Sequence, residues 1–300
     1  MGNIKKVLLV VNPISGDIDK SSLIEHITKA VIEIGGSLSV FETSGENDQK
    51  ELEKIIDKTR PCRIICAGGD GTIKLVSQAL LSHHIPIGII PAGSANGLAY
   101  NLLLPETLPE QIDVALGNSL QTMDIINIDD ELCLHISDFG LNAELIKNYE
   151  DSNVRGKWGY LLQSITTLVE SEYPFQFLIE ANKKVIETEG ILVAIANARS
   201  FGTGATVNPN GKINDGKFEI LIFKNFDIIE ILKTLRNEVD LNPDFVRIIS
   251  TREAVITCTK PVAFQIDGEY LGEKNSVHAT IHNKKLQVAA PSNSTVFIQS

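Results

Sequence analysis

Basic residues are the first shortage. The 300 residues carry 27 Lys and Arg against 38 Asp and Glu, a formal net charge of -11 at pH 7. A nucleic-acid partner normally requires a basic footprint, so none is expected. Strong general attraction to anionic lipid surfaces is not expected either, although a local basic patch stays open. Long apolar runs are also missing, and none approaches the roughly 20 residues that a membrane-crossing helix needs. The apolar run after Lys5 and Lys6 is short and meets Asn12-Pro13. That pattern reads as a first strand rather than a signal peptide. A cytoplasmic protein with at most peripheral membrane contact is the expectation. Cysteine is scarce: Cys62, Cys66, Cys133 and Cys258 form no CxxC pair, so buried free thiols are expected rather than a metal or disulfide site. Two common phosphate signatures, GxxxxGK[ST] and GxGxxG, are absent as well.

What is present is an ordinary globular composition, 43% hydrophobic and 22% charged. A chain this long exceeds one small core, and two domains are the prior. Lys6 to Val11 reads as a buried strand, closed by the turn Asn12-Pro13-Ile14-Ser15-Gly16. Ser21-Ser22 can cap a helix in which Leu23, Ile27, Ala30, Val31 and Ile34 recur at helical spacing. Leu38 to Phe41 is a second strand, followed by Thr43-Ser44-Gly45 and a charged helix from about Asp48 to Thr59. The third strand, from Cys62, runs into Gly68-Gly69-Asp70-Gly71-Thr72, and Thr72 opens the next helix. A fourth, Ile85 to Ile90, ends in Pro91-Ala92-Gly93-Ser94-Ala95-Asn96 before another helical stretch.

Alternating strands and helices predict right-handed crossovers and a largely parallel sheet. The turns at Asn12, Gly68 and Pro91 then gather at its carboxyl edge, where open α/β folds bind ligands. After about Gly117 the rhythm changes to strands with few helices. Strands are read at 122–128, 132–137, 175–180, 191–197, 218–223, 246–258, 262–266, 277–282 and 286–290, and helices at Trp158 to Glu170 and Asp227 to Leu235. The fold class is therefore an open α/β domain over 1–121 and a β-rich sandwich over 122–290. Residues 291–300 are expected to pair or pack back on the first domain.

Glycine turns that precede helices bring backbone N–H groups close to an anion. Asn12, Ser15, Thr43, Thr72 and Ser94 supply short polar groups, and Gly16, Gly68, Gly69, Gly71 and Gly93 supply N–H groups. This set suits a nucleotide polyphosphate. Asp70 is odd among such donors, since a carboxylate repels phosphate, unless a divalent cation sits between them. Further on, Asn214-Asp215-Gly216 precedes a strand and Asp267-Gly268-Glu269 follows one. Asp-Gly reads first as a tight hairpin. Glu269 is less expected at a hairpin exit, and a carboxylate there suits a general base.

These motifs, in order, resemble the diacylglycerol kinase catalytic family, which includes bacterial lipid kinases, sphingosine kinases and ceramide kinases. Two further segments, Ser137 to Ala143 and Asn197 to Gly204, are similar to glycine-bearing segments of that family's second domain. The resemblance covers nearly the whole chain, whereas Gly-Gly-Asp-Gly-Thr alone is shared with NAD kinases of related fold. It implies ATP as phosphoryl donor, Mg²⁺, and an active site in the interdomain cleft. Asn12, Pro13, Ser15, Gly16, Thr43, Gly68, Gly69, Gly71, Thr72, Gly93, Ser94 and Asn96 would hold the nucleotide. Asp70 and Asp124 would hold the catalytic Mg²⁺, directly or through water. Glu269 would deprotonate a lipid hydroxyl, with Asp70 close to the same step. Asp215, with the backbone carbonyls of Lys212 and Lys217, matches a structural Mg²⁺ site of some bacterial members. A lipid substrate implies transient contact with the inner face of the membrane, and a homodimer is compatible with the sequence.

Two departures bear on the acceptor. Many bacterial members read G-T-x-N-D-F-A-R where this chain has Gly93 to Tyr100, so Tyr100 replaces an arginine that could engage a phosphorylated lipid. The Gly-Ser-x-Asn form is also similar to sphingosine kinases, which keeps long-chain bases open as acceptors. His135 stands where an asparagine is common and reads as a satisfied polar group at a strand edge. The segment Val154 to Leu168 could line an acyl pocket, with plain core packing as the competing account. Two other functions stay in view, an NAD kinase and a catalytically silent nucleotide- or lipid-binding protein.

Overall fold

A computed structural model gives the fold and describes residues 5–16, 19–94, 96–140, 142–144, 173–200, 206–225, 242–282 and 285–298. The helices read at Trp158 to Glu170 and Asp227 to Leu235, and the candidate acyl segment, lie outside them. Two compact units emerge, one of residues 1–124 and 283–300, the other of residues 125–282.

The first unit begins with β1 (Lys6–Val11), whose last five residues are buried, as a strand covered on both faces requires. It continues with α1 (Lys20–Glu33), β2 (Ser37–Glu42), α2 (Asp48–Thr59), β3 (Arg63–Gly68), α3 (Asp70–Ala79) and β4 (Ile87–Pro91). Then come α4 (Gly97–Asn101), α5 (Leu108–Leu116) and β5 (Leu120–Met123). Asp19, rather than Ser21 or Ser22, caps α1, its side chain accepting from the Ser21 N–H. The sheet order is β2-β1-β3-β4-β16-β5, where β16 is Leu286–Ala289 from the far end of the chain. β2, β1, β3, β4 and β16 run parallel and β5 runs antiparallel. Leu9, Val11, Ile65, Ala67 and Ile90 form one core face with Ile27 and Val31 of α1 and Ile112 and Ala115 of α5. Arg63 is buried and donates its guanidinium to the carbonyls of Ala115 and Gly117, which closes the C-terminus of α5.

Sequence reading placed 286–290 in the β-rich part. As β16 it instead joins the first sheet, because its apolar residues complete the gap between β4 and β5. The run read as one strand over 122–128 divides at Asp124, leaving β5 in the first sheet and β6 (Ile126–Ile128) in the second.

The second unit contains β6, β7 (Glu131–Cys133), β8 (Ile136–Gly140), β9 (Phe175–Ala181), β10 (Lys184–Gly190), β11 (Leu192–Ala196) and β12 (Phe218–Phe223). It ends with β13 (Val246–Thr251), β14 (Glu253–Ile266) and β15 (Glu269–Ile281). The order is β13-β12-β11-β8-β14-β15-β6-β7, with β9 on β14 and β10 on β9, and every one of these pairs is antiparallel. β14 pairs β9 through Ala254 to Cys258 and β8 through Phe264 to Ile266. Its register against β15 shifts between these stretches, around Pro261, which has no N–H to donate. One bent strand thus serves both parts of a sandwich whose core includes Phe139, Phe177, Phe218 and Phe264. The Phe139 and Phe264 rings lie 4.6 Å apart.

Leu132 to Ser137, read as a single strand, breaks at Leu134-His135 between β7 and β8. The cause is a side chain, described below, that takes the N–H groups of this break. Cys66, Cys133 and Cys258 are buried free thiols, whereas Cys62 is free and exposed just before β3. No helix among the described residues is long and apolar enough to cross a membrane.

Candidate active site

Four parallel strands deliver their C-terminal turns to one edge of the first sheet. After β1, Asn12 Oδ1 accepts from the Ile14 N–H at 3.1 Å, a local turn that fixes the start of the loop. Ser15 Oγ lies 3.0 Å from the Asn12 carbonyl and 3.1 Å from that of Ala92. Gly16 has φ +59, and its α-carbon lies so close to Ala92 that a Cβ would sit 2.8 Å from the Ala92 carbonyl oxygen. Lys20 Nζ donates to that same carbonyl at 2.8 Å, and burial pushes its pKa down. The first and fourth turns are therefore in contact. Pro13 is exposed beside them.

After β2, Thr43 donates its N–H to the Val11 carbonyl at 2.9 Å. Asp48 Oδ1 accepts from the Ser44 N–H and hydroxyl, and its Oδ2 accepts from the Gly45 N–H. Burial opposes ionisation of Asp48, but these bonds outweigh it and leave the pKa lowered.

After β3, Gly69 is the N-cap residue of α3 and accepts from Thr72 and Ile73. The helix begins at Asp70, two residues before the predicted Thr72. Thr72 folds back over Gly68, so that a Cβ on Gly68 would lie 2.6 Å from the Thr72 Cβ. Gly71 is exposed, with open space where a side chain would stand. Asp70 is buried, and its two oxygens accept from Gly97 N–H at 2.8 Å and Leu98 N–H at 3.0 Å. The carboxylate that looked out of place in a phosphate cradle thus satisfies the first N–H groups of α4. Asn96 completes the fourth turn: its Oδ1 accepts from the Gly93 N–H at 3.0 Å and its Nδ2 donates to the Gly93 carbonyl at 2.9 Å. Ser94 is exposed.

Asp124 stands at the end of β5 with no exposed surface, and Lys285 Nζ lies 2.5 Å from its Oδ1. The lysine sits just before β16, and no spacing in the sequence announces this pair. Among the described residues no group of three or more His, Cys, Asp and Glu side chains is arranged to hold a metal ion.

In the second unit Asp267-Gly268 is the two-residue hairpin between β14 and β15, with φ of +52 and +89 as the primed turn requires. Its carboxylate does more than turn the chain. Oδ2 accepts from the Leu134 N–H at 2.7 Å, and Oδ1 from those of His135 and Ile136 at 2.9 and 3.1 Å. His135 Nδ1 lies 2.8 Å from Oδ1, with both side chains buried. Burial pushes the Asp267 pKa up, but the His135 imidazole and the Leu134 and His135 N–H groups together bring it below the usual carboxylate value. Here is the break in the strand read over 132–137: its N–H groups face a carboxylate instead of a ladder partner.

The amide of Gln265 is used at both ends. Oε1 accepts from the Gly268 N–H at 2.7 Å, and Nε2 donates to Asp138 Oδ2 at 2.5 Å. Asn142 Nδ2 donates to the same Asp138 oxygen at 2.6 Å. Burial raises the Asp138 pKa to about 7 against the pull of these bonds. Glu269, the first residue of β15, is exposed. Asp215 accepts from the Lys217 N–H at 2.9 Å, closing the turn before β12 around Gly216 at φ +74. Glu219, which sequence reading passed over, is buried near that turn and accepts from Asn208 Nδ2 at 2.7 Å. Burial raises its pKa.

Residues 6–128 match the diacylglycerol kinase catalytic domain, and residues 136–290 match the YegS C-terminal NAD kinase beta sandwich-like domain. Proteins named probable lipid kinase YegS, from Shigella dysenteriae and Escherichia coli, are 26% identical over 251 residues, covering 81% of this chain and 83% of theirs. A putative diacylglycerol kinase from Bacillus anthracis has the same fold, with a TM-score of 0.78 at 19% identity over 98% of this chain and 100% of that one. An NAD kinase from Archaeoglobus fulgidus, solved in complex with ATP, aligns with a TM-score of 0.55 at 14% identity over 95% of this chain and 93% of its own.

Proposed function

Because the chain belongs to the bacterial lipid kinase family that joins a diacylglycerol kinase catalytic domain to a YegS C-terminal domain, we propose that it transfers the γ-phosphoryl group of ATP to a lipid hydroxyl. One observation carries the reading beyond family membership. Four strand ends set the Asn12, Thr43, Gly68 and Gly93 turns along one sheet edge, next to the N-terminus of α3. Such an edge offers N–H groups and a favourable helix dipole to a polyphosphate. The nucleotide would lie there against Asn12, Pro13, Ser15, Gly16, Thr43, Gly68, Gly69, Gly71, Thr72, Gly93, Ser94 and Asn96.

Bound Mg²⁺ would offset negative charge on the phosphoryl oxygens. The hard oxygen donors of Asp70 suit that ion. Since each already accepts an N–H, Asp70 would reach it through water, while Asp124 would exchange Lys285 for it. Asp215 with the Lys212 and Lys217 carbonyls would hold a second, structural Mg²⁺. Glu269 takes the proton as the lipid oxygen bonds to the γ-phosphorus, and the bond to the β-phosphate oxygen breaks to release ADP. Positioning and charge stabilisation carry most of such a reaction. The lipid is met at the inner membrane face during turnover only, and a homodimer is the proposed assembly. Tyr100, 46% exposed where an arginine would favour a phosphorylated lipid, points to diacylglycerol-like lipids or long-chain bases.

γ-Labelled ATP offered with diacylglycerol, monoacylglycerol, sphingosine, ceramide and phosphatidylglycerol, with and without Mg²⁺, tests the proposal. Label should enter a neutral lipid or a long-chain base only when Mg²⁺ is present. Label in NAD in a detergent-free assay and in no lipid would replace it with an NAD kinase. Mg²⁺-dependent ATP binding without any transfer would leave a silent binding protein.

A further inference from the structure

We infer that Gln265 and Asp138 are positioning residues that set the hairpin tip carrying Glu269, a conclusion that rests on Glu269 being the base of the proposed reaction. Gln265 and Asp138 are direct partners in the β14–β8 register. The tip is held from two sides. On one, Asp267 fastens its own carboxylate to the N–H groups of Leu134, His135 and Ile136. On the other, the Gly268 N–H, one residue before Glu269, is received by Gln265 Oε1 at 2.7 Å.

An amide serving the tip in this way has two orientations, and only one presents oxygen to Gly268. Asp138 selects it. Asp138 Oδ2 is an acceptor, already receiving Asn142 Nδ2, and only the amide nitrogen of Gln265 can donate to it. With the amide reversed, oxygen would face Asp138 Oδ2 and NH₂ would face the Gly268 N–H. Gln265 and Asp138 are both buried, so water does not replace the bond lost between them. Hairpin packing alone does not require this arrangement, since the turn already has its primed geometry from Asp267 and Gly268. What the relay adds is a fixed direction for the backbone that leads into Glu269. Misplacing a catalytic group by about 1 Å costs up to about a hundredfold in rate.

The test is a double-mutant cycle on the full chain, with γ-labelled ATP and whichever lipid of the panel takes most label. Gln265→Met keeps side-chain volume while removing both polar atoms. Asp138→Ala leaves the amide in place but free to reverse, and serves if Gln265→Met does not fold. Each should lower kcat about tenfold or more with the KM for ATP within about twofold. Neither should lower kcat further in a Glu269→Gln background, because the relay acts through that residue. An equal loss in both backgrounds, or an unchanged kcat in the folded variants, overturns the inference. Failure of the underlying reading looks different: Glu269→Gln alone would then turn over like the unmodified chain.

Discussion

Asp70 and Asp267 each sit in a glycine turn, and each carboxylate accepts backbone N–H groups from a distant part of its own unit. Asp70 receives Gly97 and Leu98, the opening residues of a short helix whose first N–H groups have no partner within the helix. Asp267 receives three successive N–H groups at a strand break and the imidazole of His135 besides. The two turns differ in where chemistry is kept. In the first, the anchoring carboxylate and the proposed catalytic one are the same residue. In the second they are two positions apart, with Asp267 buried as the anchor and Glu269 exposed beside it. Stability and activity should separate by mutation in the second turn and stay tied together in the first.

The largest effect is expected at the second anchor. Asp267→Ala strands three N–H groups and a buried histidine, and removing one partner of a buried pair costs about 3–5 kcal/mol. Its thermal midpoint should fall steeply, whereas Glu269→Gln should leave the midpoint unchanged and abolish most turnover. Equal midpoints for Asp267→Ala and the unmodified chain would erase the distinction between anchor and base. Next comes Asp70→Asn, in which both properties should fail together. An amide keeps one acceptor for two N–H groups, costing roughly 1 kcal/mol of stability. The rate should drop about a hundredfold, at least ~2.7 kcal/mol of transition-state stabilisation. Near-normal turnover in a folded Asp70→Asn chain would remove it from the catalytic assignment.

A third effect concerns the relay behind the second turn and is read through pH. Asp138 has its pKa raised from 3.8 to about 7 by burial. Between those values the unfolded chain has lost the proton that the fold retains, so stability falls as pH rises from 3.8 to about 7 and then levels. The lowered pKa values of Asp48 and Asp267 act in the opposite sense. They contribute stability above the ordinary carboxylate pKa that is lost as pH falls through the folded value. Asp138→Asn should therefore flatten the midpoint-against-pH curve across that window, a change of up to about 4 kcal/mol at roughly 1.4 kcal/mol per pKa unit. An unaltered slope would show that Asp138 ionises there as it does in water.

How far the sequence discloses these two turns follows from the range of the contacts that build them. Lys6–Val11, Asp48–Thr59 and Phe218–Phe223 are legible because apolar runs, caps and periodicity act within a few residues. The convergence of the Asn12, Gly68 and Pro91 turns is legible too, since strand–helix alternation dictates a parallel sheet with a common carboxyl edge. The break at Leu134-His135 is not, because the carboxylate responsible lies 131 to 133 positions later in the chain. The Gln265–Asp138 pair spans 127 positions, and β16 returns to the first sheet from the far end. The strands read over 246–258 and 262–266 err in the other direction: the break lies at Arg252, between β13 and β14, and β14 runs on through Pro261 by shifting register. Asp70 reads as an oddity among phosphate donors, and the Gly97 and Leu98 N–H groups that accommodate it belong to a different turn.

The smallest expected effect tests whether contact between turns, as distinct from the turns themselves, matters to the first site. Gly16 and Gly35 both have positive φ, +59 and +75, so alanine at either carries the left-handed penalty of about 1 kcal/mol. Their surroundings differ. Around Gly35 nothing lies within 4 Å of the added Cβ, whereas at Gly16 it meets the Ala92 carbonyl oxygen at 2.8 Å and the Gly93 carbonyl carbon at 3.2 Å. Those are backbone atoms that cannot swing aside, so the Asn12 turn must withdraw from the Pro91 turn. Gly35→Ala should thus lower the midpoint slightly and leave kinetics unchanged. Gly16→Ala should show a larger loss of stability together with a rise in the KM for ATP of about fivefold, equivalent to roughly 1 kcal/mol of binding. Ser15 and Lys20 reach the Ala92 carbonyl from the same side, so any withdrawal of the turn lengthens their bonds as well. If the two alanine variants bind ATP equally well, the four turns act separately, and the contact at Ala92 is packing without consequence for the nucleotide.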